Sequence, residues 1–435
     1  MTLEHGAPLA RMQLYIARQC EAASVGAWCY HTQYSYHLRF ESLALPLFFK
    51  AVKNVLDRHP VLKTVLTRLA DGAIGQAVDP HLALTTAFED ISTLPAERQD
   101  DWVRRYLLAD RERPFALFDQ GAPLCRSALI KRSRNSVQLI LVIHHVIWDG
   151  WSLAVLLKEI FAVYAAYQDK PTLTLAPARY EYGDFIDAEI AARPAPEAAQ
   201  FWARHLREHI DFHPPRQPGL QHRQNYQPEV QVLPSALTAA LEQLARRLRV
   251  TMKAVFIAVF LRMVQDETLG QGATIGVVSN GRGMALANPL GTLGLLWNLA
   301  PLCVAAHSDD MAHVKSVHQA LAQSAPFSTY PLLDILAERG TDTLFHAAFN
   351  YIDFGGANIL PPRSGIEFID SGGLDKFDFP LYLLVGKNPF NREVSLVLNY
   401  DARCYSASAM RARLEQAVAR LERLAAGEGA LLKKP

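Results

Sequence analysis

The run His144-His145-Val146-Ile147-Trp148-Asp149-Gly150-Trp151-Ser152 brings two histidines, a carboxylate and a glycine into one short stretch. Histidine is the side chain whose ordinary pKa, roughly 6.5, suits proton transfer near neutral pH. Asp149, four residues past His145, is placed to cap a following helix or to pair with a cation that holds the turn. Gly150 lets the backbone come close to a substrate, and its N–H, at the positive end of that helix, is aimed where an oxyanion would develop. Together these residue types supply acyl transfer through a tetrahedral intermediate. A bare pair of histidines is more often a core feature satisfied by backbone hydrogen bonds. The Asp-Gly-Trp-Ser continuation turns the reading towards a site.

The elements around the run say how it would be held. Val137 to Ile143 is an aliphatic and β-branched run bounded by the polar Lys131 to Ser136, the pattern of a buried strand. After the run, Leu153, Leu156, Leu157, Ile160 and Tyr164 recur at helical spacing. The motif therefore occupies a strand-to-helix turn. Neighbours on a strand face opposite ways, so His144 and His145 cannot both serve one cleft; one is the working histidine and the other a packing or bracing residue. The same divergence makes a metal site of His144, His145 and Asp149 poor geometry, and no metal is expected.

The second half mixes the same signals. Ser235 is placed to N-cap a helix with Leu237, Leu241, Leu244 and Leu248 on one face. A second helix follows Thr251 with Val255, Val259 and Met263 inward, and Thr274 to Ser279 reads as a strand. The class is mixed α/β. The proline-rich stretch from Pro214 to Pro228 and the break at Arg193-Pro194-Ala195-Pro196 put the crossover between two halves near residues 180 to 230.

Composition narrows the partners. The 435 residues carry 44 Lys plus Arg against 43 Asp plus Glu, a net charge of +1 that argues against nucleic acid or an anionic membrane as the main partner. Half of the residues are hydrophobic and 20% are charged, which excludes disorder and fibrous repeats. The cysteines at 20, 29, 125, 303 and 404 form no C-x-x-C pair, a pattern of reduced thiols. The N-terminus Met1-Thr2-Leu3-Glu4-His5 has no secretory pattern, so a cytoplasmic location is expected. The uncharged stretch from Gly283 to Ser308 is interrupted by Pro289, Pro301, Asn288, Asn298 and glycines, and reads as buried strand and loop rather than a membrane span.

With the motif in view, the sequence resembles the condensation domains of nonribosomal peptide synthetases, in the chloramphenicol-acetyltransferase-like superfamily. The hallmark H-H-x-x-x-D-G stands at His144 to Gly150 and continues into Trp151-Ser152. Asp57-Arg58-His59 with Leu62-Lys63-Thr64 is similar to the R-H-E-x-L-R-T block, and Tyr182-Gly183-Asp184-Phe185 to the Y-x-D-F block. Asn280-Gly281-Arg282, then Gly291 and Gly294 to Asn298, resemble the G-R segment and the I-G-x-F-V-N block, and Phe349-Asn350-Tyr351 a segment near the lobe crossover. Departures exist: Pro60 stands where glutamate is usual, Trp148 replaces a small residue, the first block from Leu9 to Tyr15 keeps Gln13, and Tyr330-Pro331 is a remnant of the sixth block. These bear on the acceptor side and on pocket shape.

The resemblance implies two acetyltransferase-like lobes, residues 1–185 and 186–435, arranged as a V-shaped pseudo-dimer with a tunnel between them. It implies His145 as the catalytic histidine, with the Gly150 N–H assisting the tetrahedral intermediate. His144 becomes a structural residue and Asp149 the partner of Arg282, while Trp148, Trp297 and Asn298 are tunnel candidates. It further implies no bound cofactor. The donor would be an acyl or peptidyl carrier protein whose phosphopantetheine arm presents the acyl chain, and the acceptor a second carrier protein or a free small molecule. At this length the chain has no room for an adenylation or carrier domain, so a monomer acting in trans, in peptide or hybrid polyketide biosynthesis, is expected.

Rival readings are fewer. A coenzyme-A-dependent acyltransferase of the same superfamily shares H-x-x-x-D-G, and Asp353-Phe354-Gly355-Gly356 is similar to part of its second motif without the tryptophan. A non-catalytic recruiting module would be expected to lack His145. His205-Leu206-Arg207-Glu208-His209 spells an inverted zinc-protease signature, but in a polar helix it reads as a solvated face. Gly270-Gln271-Gly272 with Gly276 misses the dinucleotide spacing by one residue.

Overall fold

The computed structural model describes residues 7–21, 30–119, 121–193, 195–210, 212–215, 226–265, 271–284, 286–353, 359–361, 364–375, 377–388 and 390–427. Cys29, the N-terminal five residues, Gly270, most of the proline-rich stretch and Phe354-Gly355-Gly356 lie outside them. The chain divides into two compact units: Met1–Ala191 with Arg282–Leu296 and Gly356–Asp378, and Ala192–Gly281 with Trp297–Gly355 and Phe379–Pro435. A single cut after residue 185 leaves out the two later segments that the first unit takes in.

The first unit is built on a five-stranded sheet in the order Ile366–Asp375, His31–Phe40, Ser136–His144, Cys125–Ser133 and Thr86–Asp90. The last pair is parallel and the others antiparallel. The motif strand Ser136–His144 lies in the middle and is buried at every position, which is why it reads as an unbroken apolar run. The strand Ile366–Asp375 comes from late in the chain and pairs with His31–Phe40, so Asp375 sits opposite Thr32 and Ser371 opposite Tyr36. A small sheet of Ala7–Pro8, Ile74–Val78 and Thr64–Arg68 completes the unit.

The motif runs into the helix Gly150–Asp169, whose buried positions include Leu153, Leu156, Leu157, Ile160 and Tyr164. By length and composition this helix could cross a membrane, but 56% of its apolar window is buried inside the fold, where it serves as a core helix. Helix Leu45–Arg58 packs beside it, with Phe48 against Phe161 and Tyr164.

The second unit centres on a six-stranded mixed sheet in the order Asn298–Ala305, Gly272–Ser279, Ala347–Asp353, Leu381–Lys387, Val394–Asp401 and Tyr226–Leu233. Its core collects Leu237, Leu241 and Leu244 from helix Ser235–Leu248 and Val255, Val259 and Met263 from helix Met252–Gln265. Ser235 is the first helical residue rather than the cap. The preceding Pro234, held at φ −55° and ψ 140°, makes the entry without a side-chain cap. Thr251 does cap its helix, its hydroxyl accepting from the Ala254 N–H at 3.2 Å. The uncharged stretch after Gly283 is irregular over its described residues up to Trp297 and a strand from Asn298 to Ala305. Among the described residues no cluster of His, Cys, Asp and Glu is arranged to hold a metal. His209 instead meets the Leu344 carbonyl at 2.7 Å.

Candidate active site

The motif strand ends at His144, and His145 begins a single 3₁₀ turn, His145–Ile147, before the helix starts at Gly150. Strand alternation alone would put both histidines on the strand. The turn separates them, and the two rings are bonded in opposite senses. His145 Nδ1 lies 3.1 Å from the Trp148 carbonyl. A carbonyl can only accept, so in the neutral ring Nδ1 carries the proton and Nε2 holds the lone pair. In His144, Nδ1 accepts from the Val146 N–H at 3.1 Å, which puts the proton on Nε2, 3.8 Å from the Cys20 sulfur. His144 therefore spends its basic nitrogen on the backbone, whereas in His145 the backbone takes the N–H and the basic nitrogen is Nε2.

Burial pushes His145 below its ordinary pKa, opposed by Asp375, by the Trp148 carbonyl and by Asp149. The ring is thus neutral at pH 7, as a proton acceptor must be. Its face packs on Phe377 with centroids 5.3 Å apart, and the His145 backbone N–H donates to the Tyr30 carbonyl at 2.8 Å. His144 is flanked edge-on by Phe115, which also meets His31.

Asp149 holds the turn to the rest of the first unit. It N-caps the helix by accepting from the Ser152 N–H at 2.8 Å. Arg282 Nη2 donates to both its oxygens at 2.8 and 2.9 Å, and the Leu296 N–H adds a bond at 3.2 Å. The two side chains of this ion pair are only 6% and 2% exposed. Arg282 Nη1 donates in addition to the carbonyls of Pro289 and Thr292, both at 2.8 Å, so one guanidinium fixes the loop and the turn at once. Gly294 is placed in that loop by necessity. At φ +153° its N–H reaches the Ser152 hydroxyl at 3.0 Å, and a Cβ there would fall 2.1 Å from the Tyr182 ring. Tyr182 in turn donates to the Leu295 carbonyl at 2.8 Å.

Other blocks read from the sequence meet the same turn and helix. Gln13 donates to the Val146 carbonyl at 2.8 Å. His59 Nε2 lies 2.6 Å from Glu159 of the motif helix, which Arg58 also binds. Gly150 is the first residue of that helix, where N–H groups have no partner within the helix. Trp148 is fully buried, with its indole N–H on the Thr32 hydroxyl at 3.1 Å, the surroundings of a core residue. Trp297 and Asn298 belong to the second unit. Asn298 there donates to the carbonyls of Ser328 and Tyr330 and accepts from the Leu332 N–H, which spends its amide on a loop.

Two carboxyls absent from the sequence reading stand close by. Asp375 ends the late strand and accepts from the Tyr34 hydroxyl at 2.8 Å. Asp378 accepts from Tyr30 and Tyr15, and burial raises its pKa to about 6 against those two hydrogen bonds. The only signal for them in the sequence is an acid-bearing stretch, Asp375-Lys376-Phe377-Asp378, ahead of an apolar strand.

An α/β protein that carries a His-His-x-x-x-Asp-Gly turn between an interior strand and a buried helix falls in the class of condensation-type transferases. The chain belongs to the condensation domain family, whose model matches residues 3–426. It is 25% identical over 376 residues to tyrocidine synthase 3 of Brevibacillus parabrevis, covering 84% of this chain and 6% of that protein. To gramicidin S synthase 2 of Brevibacillus brevis it is 25% identical over 294 residues, 66% of this chain and 6% of that one. The chain thus spans a small part of the length of these relatives. Among solved structures, the first condensation domain of the calcium-dependent antibiotic synthetase matches with a TM-score of 0.78 at 20% identity, over 98% of this chain and 99% of that one. The condensation domain of monacolin K polyketide synthase matches with a TM-score of 0.80 at 15% identity, over 98% of each chain. Condensation domains catalyse bond formation and act on substrates borne on the phosphopantetheine arms of carrier proteins.

Proposed function

We propose that this protein transfers an acyl chain, in trans, from the phosphopantetheine thioester of a separate carrier protein to an amine or hydroxyl acceptor. The product is an amide or ester made in nonribosomal peptide or hybrid polyketide biosynthesis, and a free small acceptor would release the chain. His145 Nε2 takes the proton of the nucleophile as its nitrogen or oxygen bonds to the thioester carbonyl carbon. The Gly150 N–H, at the start of the helix, stabilises the oxyanion. Collapse breaks the carbon–sulfur bond, and the departing phosphopantetheine thiolate recovers the proton from His145. No acyl-enzyme is needed, so no serine or cysteine nucleophile takes part. His144, Asp149 and Arg282 support the turn.

The observation that supports this reading is the opposed bonding of the two histidines: in the buried, neutral His145 the proton sits on Nδ1 against the Trp148 carbonyl and Nε2 is the basic nitrogen, whereas His144 turns its basic nitrogen to the Val146 N–H. The test is intact-mass spectrometry of an acyl-loaded carrier protein incubated with the enzyme and a panel of amines and alcohols. The expected result is nucleophile-dependent unloading that falls about 10²- to 10⁴-fold in His145→Ala. Turnover of the matching acyl-coenzyme A with the carrier untouched would replace the reading by a coenzyme-A-dependent acyltransferase. Carrier binding without any turnover would make the chain a recruiting module.

A further inference from the structure

The strand Ile366–Asp375 comes from late in the chain, and its end reaches the turn that carries His145 through several contacts. Its register places Asp375 opposite Thr32, and Thr32 both donates to the Ile143 carbonyl at 2.6 Å and accepts from the Trp148 indole at 3.1 Å. Tyr34, two residues along from Thr32, donates to Asp375 at 2.8 Å and sets its ring edge-on to Trp148 with centroids 5.9 Å apart. The Trp148 carbonyl is the group that fixes His145 Nδ1. Two residues past Asp375, Phe377 lies on the His145 ring itself. The end of the strand thus approaches His145 from two sides, through Trp148 and through Phe377.

We propose that Asp375 is a positioning residue for His145: its carboxylate, held by Tyr34, orients the imidazole and stabilises the imidazolium formed as the ring takes the proton of the nucleophile. This assignment rests on the acyl-transfer reading above only for its kinetic consequence. The charges facing His145 make Asp375 the effective one. Asp149, in the turn, is neutralised by Arg282. Asp378, on the segment after the strand, spends its carboxyl on the Tyr30 and Tyr15 hydroxyls, while the carboxylates that oppose the effect of burial on His145 are Asp375 and Asp149. His144 is neutral in its bond to the Val146 N–H, beside the protonated Cys20 thiol. Among the described residues no cation pairs with Asp375. Burial raises the pKa of Asp375, and His145 and the Tyr34 hydroxyl oppose that rise; in return Asp375 opposes the fall that burial imposes on His145, so each group favours the charged form of the other. An aspartate that orients a histidine and steadies its cation is a recurrent catalytic arrangement.

The first measurement needs no substrate. In protein labelled with ¹⁵N at histidine, the His145 imidazole titration is followed by NMR in wild type, Asp375→Asn, Asp375→Glu and Tyr34→Phe. The expected result is a lower His145 pKa in Asp375→Asn, recovered in Asp375→Glu. Tyr34→Phe, which leaves the carboxyl in place, keeps the fold readable if Asp375→Asn does not fold, and should lower the His145 pKa by a smaller step. An unchanged His145 titration in folded variants overturns the proposal, whatever the substrate proves to be. In the carrier-unloading assay, Asp375→Asn should lower kcat/KM about tenfold and move the acidic limb of its pH profile to lower pH, the direction in which a weaker base shifts. A fall in rate with an unmoved limb would make Asp375 merely structural. An inactive wild type would count against the function alone.

Discussion

Each unit of the molecule buries an aspartate–arginine centre beside a histidine, and only one of these histidines is fit to act as a base. In the first unit Asp149 binds a single guanidinium together with two backbone N–H groups, from Ser152 and Leu296, so the pair fixes the shape of a turn and a loop. In the second, Asp310 takes Arg262 at 3.0 Å and Arg420 at 2.8 and 2.9 Å, joining helices Met252–Gln265, Asp310–Ser324 and Ala407–Ala426. His145 has carboxylates for neighbours, which oppose the effect of burial on its pKa. His313 is 1% exposed, and Arg262, His307 and Arg420 add to burial and push its pKa to about 3. Burial lowers the pKa of both rings, and the sign of the surrounding charge, which opposes burial at His145 and adds to it at His313, separates the two.

The sharpest way to break this comparison is to remove the arginine of each centre. Arg282→Ala leaves Asp149 buried without its cation and frees the loop that the guanidinium holds. It should cost about 3–5 kcal/mol of stability and abolish acyl transfer in the protein that remains folded. Chemical denaturation and carrier unloading read the two effects separately. Arg262→Met removes one of two cations from Asp310 and keeps the apolar stem of the side chain. A loss of about 1.5–3 kcal/mol is expected, with kcat/KM of the folded enzyme unchanged. If Arg262→Met lowered kcat/KM as Arg282→Ala does, the second centre would be part of the catalytic apparatus and the contrast would fail.

How much of this could be read from the sequence depends on separation along the chain. The strand-to-helix turn was legible because strand, motif and helix are contiguous, and the apolar run through Ile143 and the periodicity from Leu153 bracket the chemistry. Asp149 was legible as a helix cap for the same local reason. The pairing with Arg282 came only from the family resemblance, since the two lie 133 residues apart. Asp375 and Phe377 were not legible, because no local pattern shows that a strand ending at residue 375 pairs with His31–Phe40 beside the motif strand. The choice between the histidines was half legible. Strand alternation set them apart, but the 3₁₀ turn and the tautomers it imposes depend on the Trp148 carbonyl and the Val146 N–H. Ser235 misled because the preceding Pro234 already supplies the extended entry to the helix.

The effect that is smallest at neutral pH, and that grows as the pH falls, lies in the acid stability of the second unit. His313 has a folded pKa of about 3, well below its ordinary value near 6.5, so the unfolded chain binds a proton that the native protein refuses. The neutral ring is fully tolerated above about pH 6.5, and stability falls as the pH drops from there towards 3, where the folded ring at last titrates. Within that window one proton contributes a slope of about 1.4 kcal/mol per pH unit. His313→Leu should remove this component, leaving stability at pH 7.5 within about 1 kcal/mol of wild type and flattening its decline between pH 6 and 4. Denaturation midpoints across that range measure the difference. An equal slope in the variant would mean that His313 is protonated in the native state, and that the cations of Arg262 and Arg420 do not set its charge. Carrier unloading at neutral pH should be the same in both proteins, since this histidine has no part in moving the proton of the nucleophile.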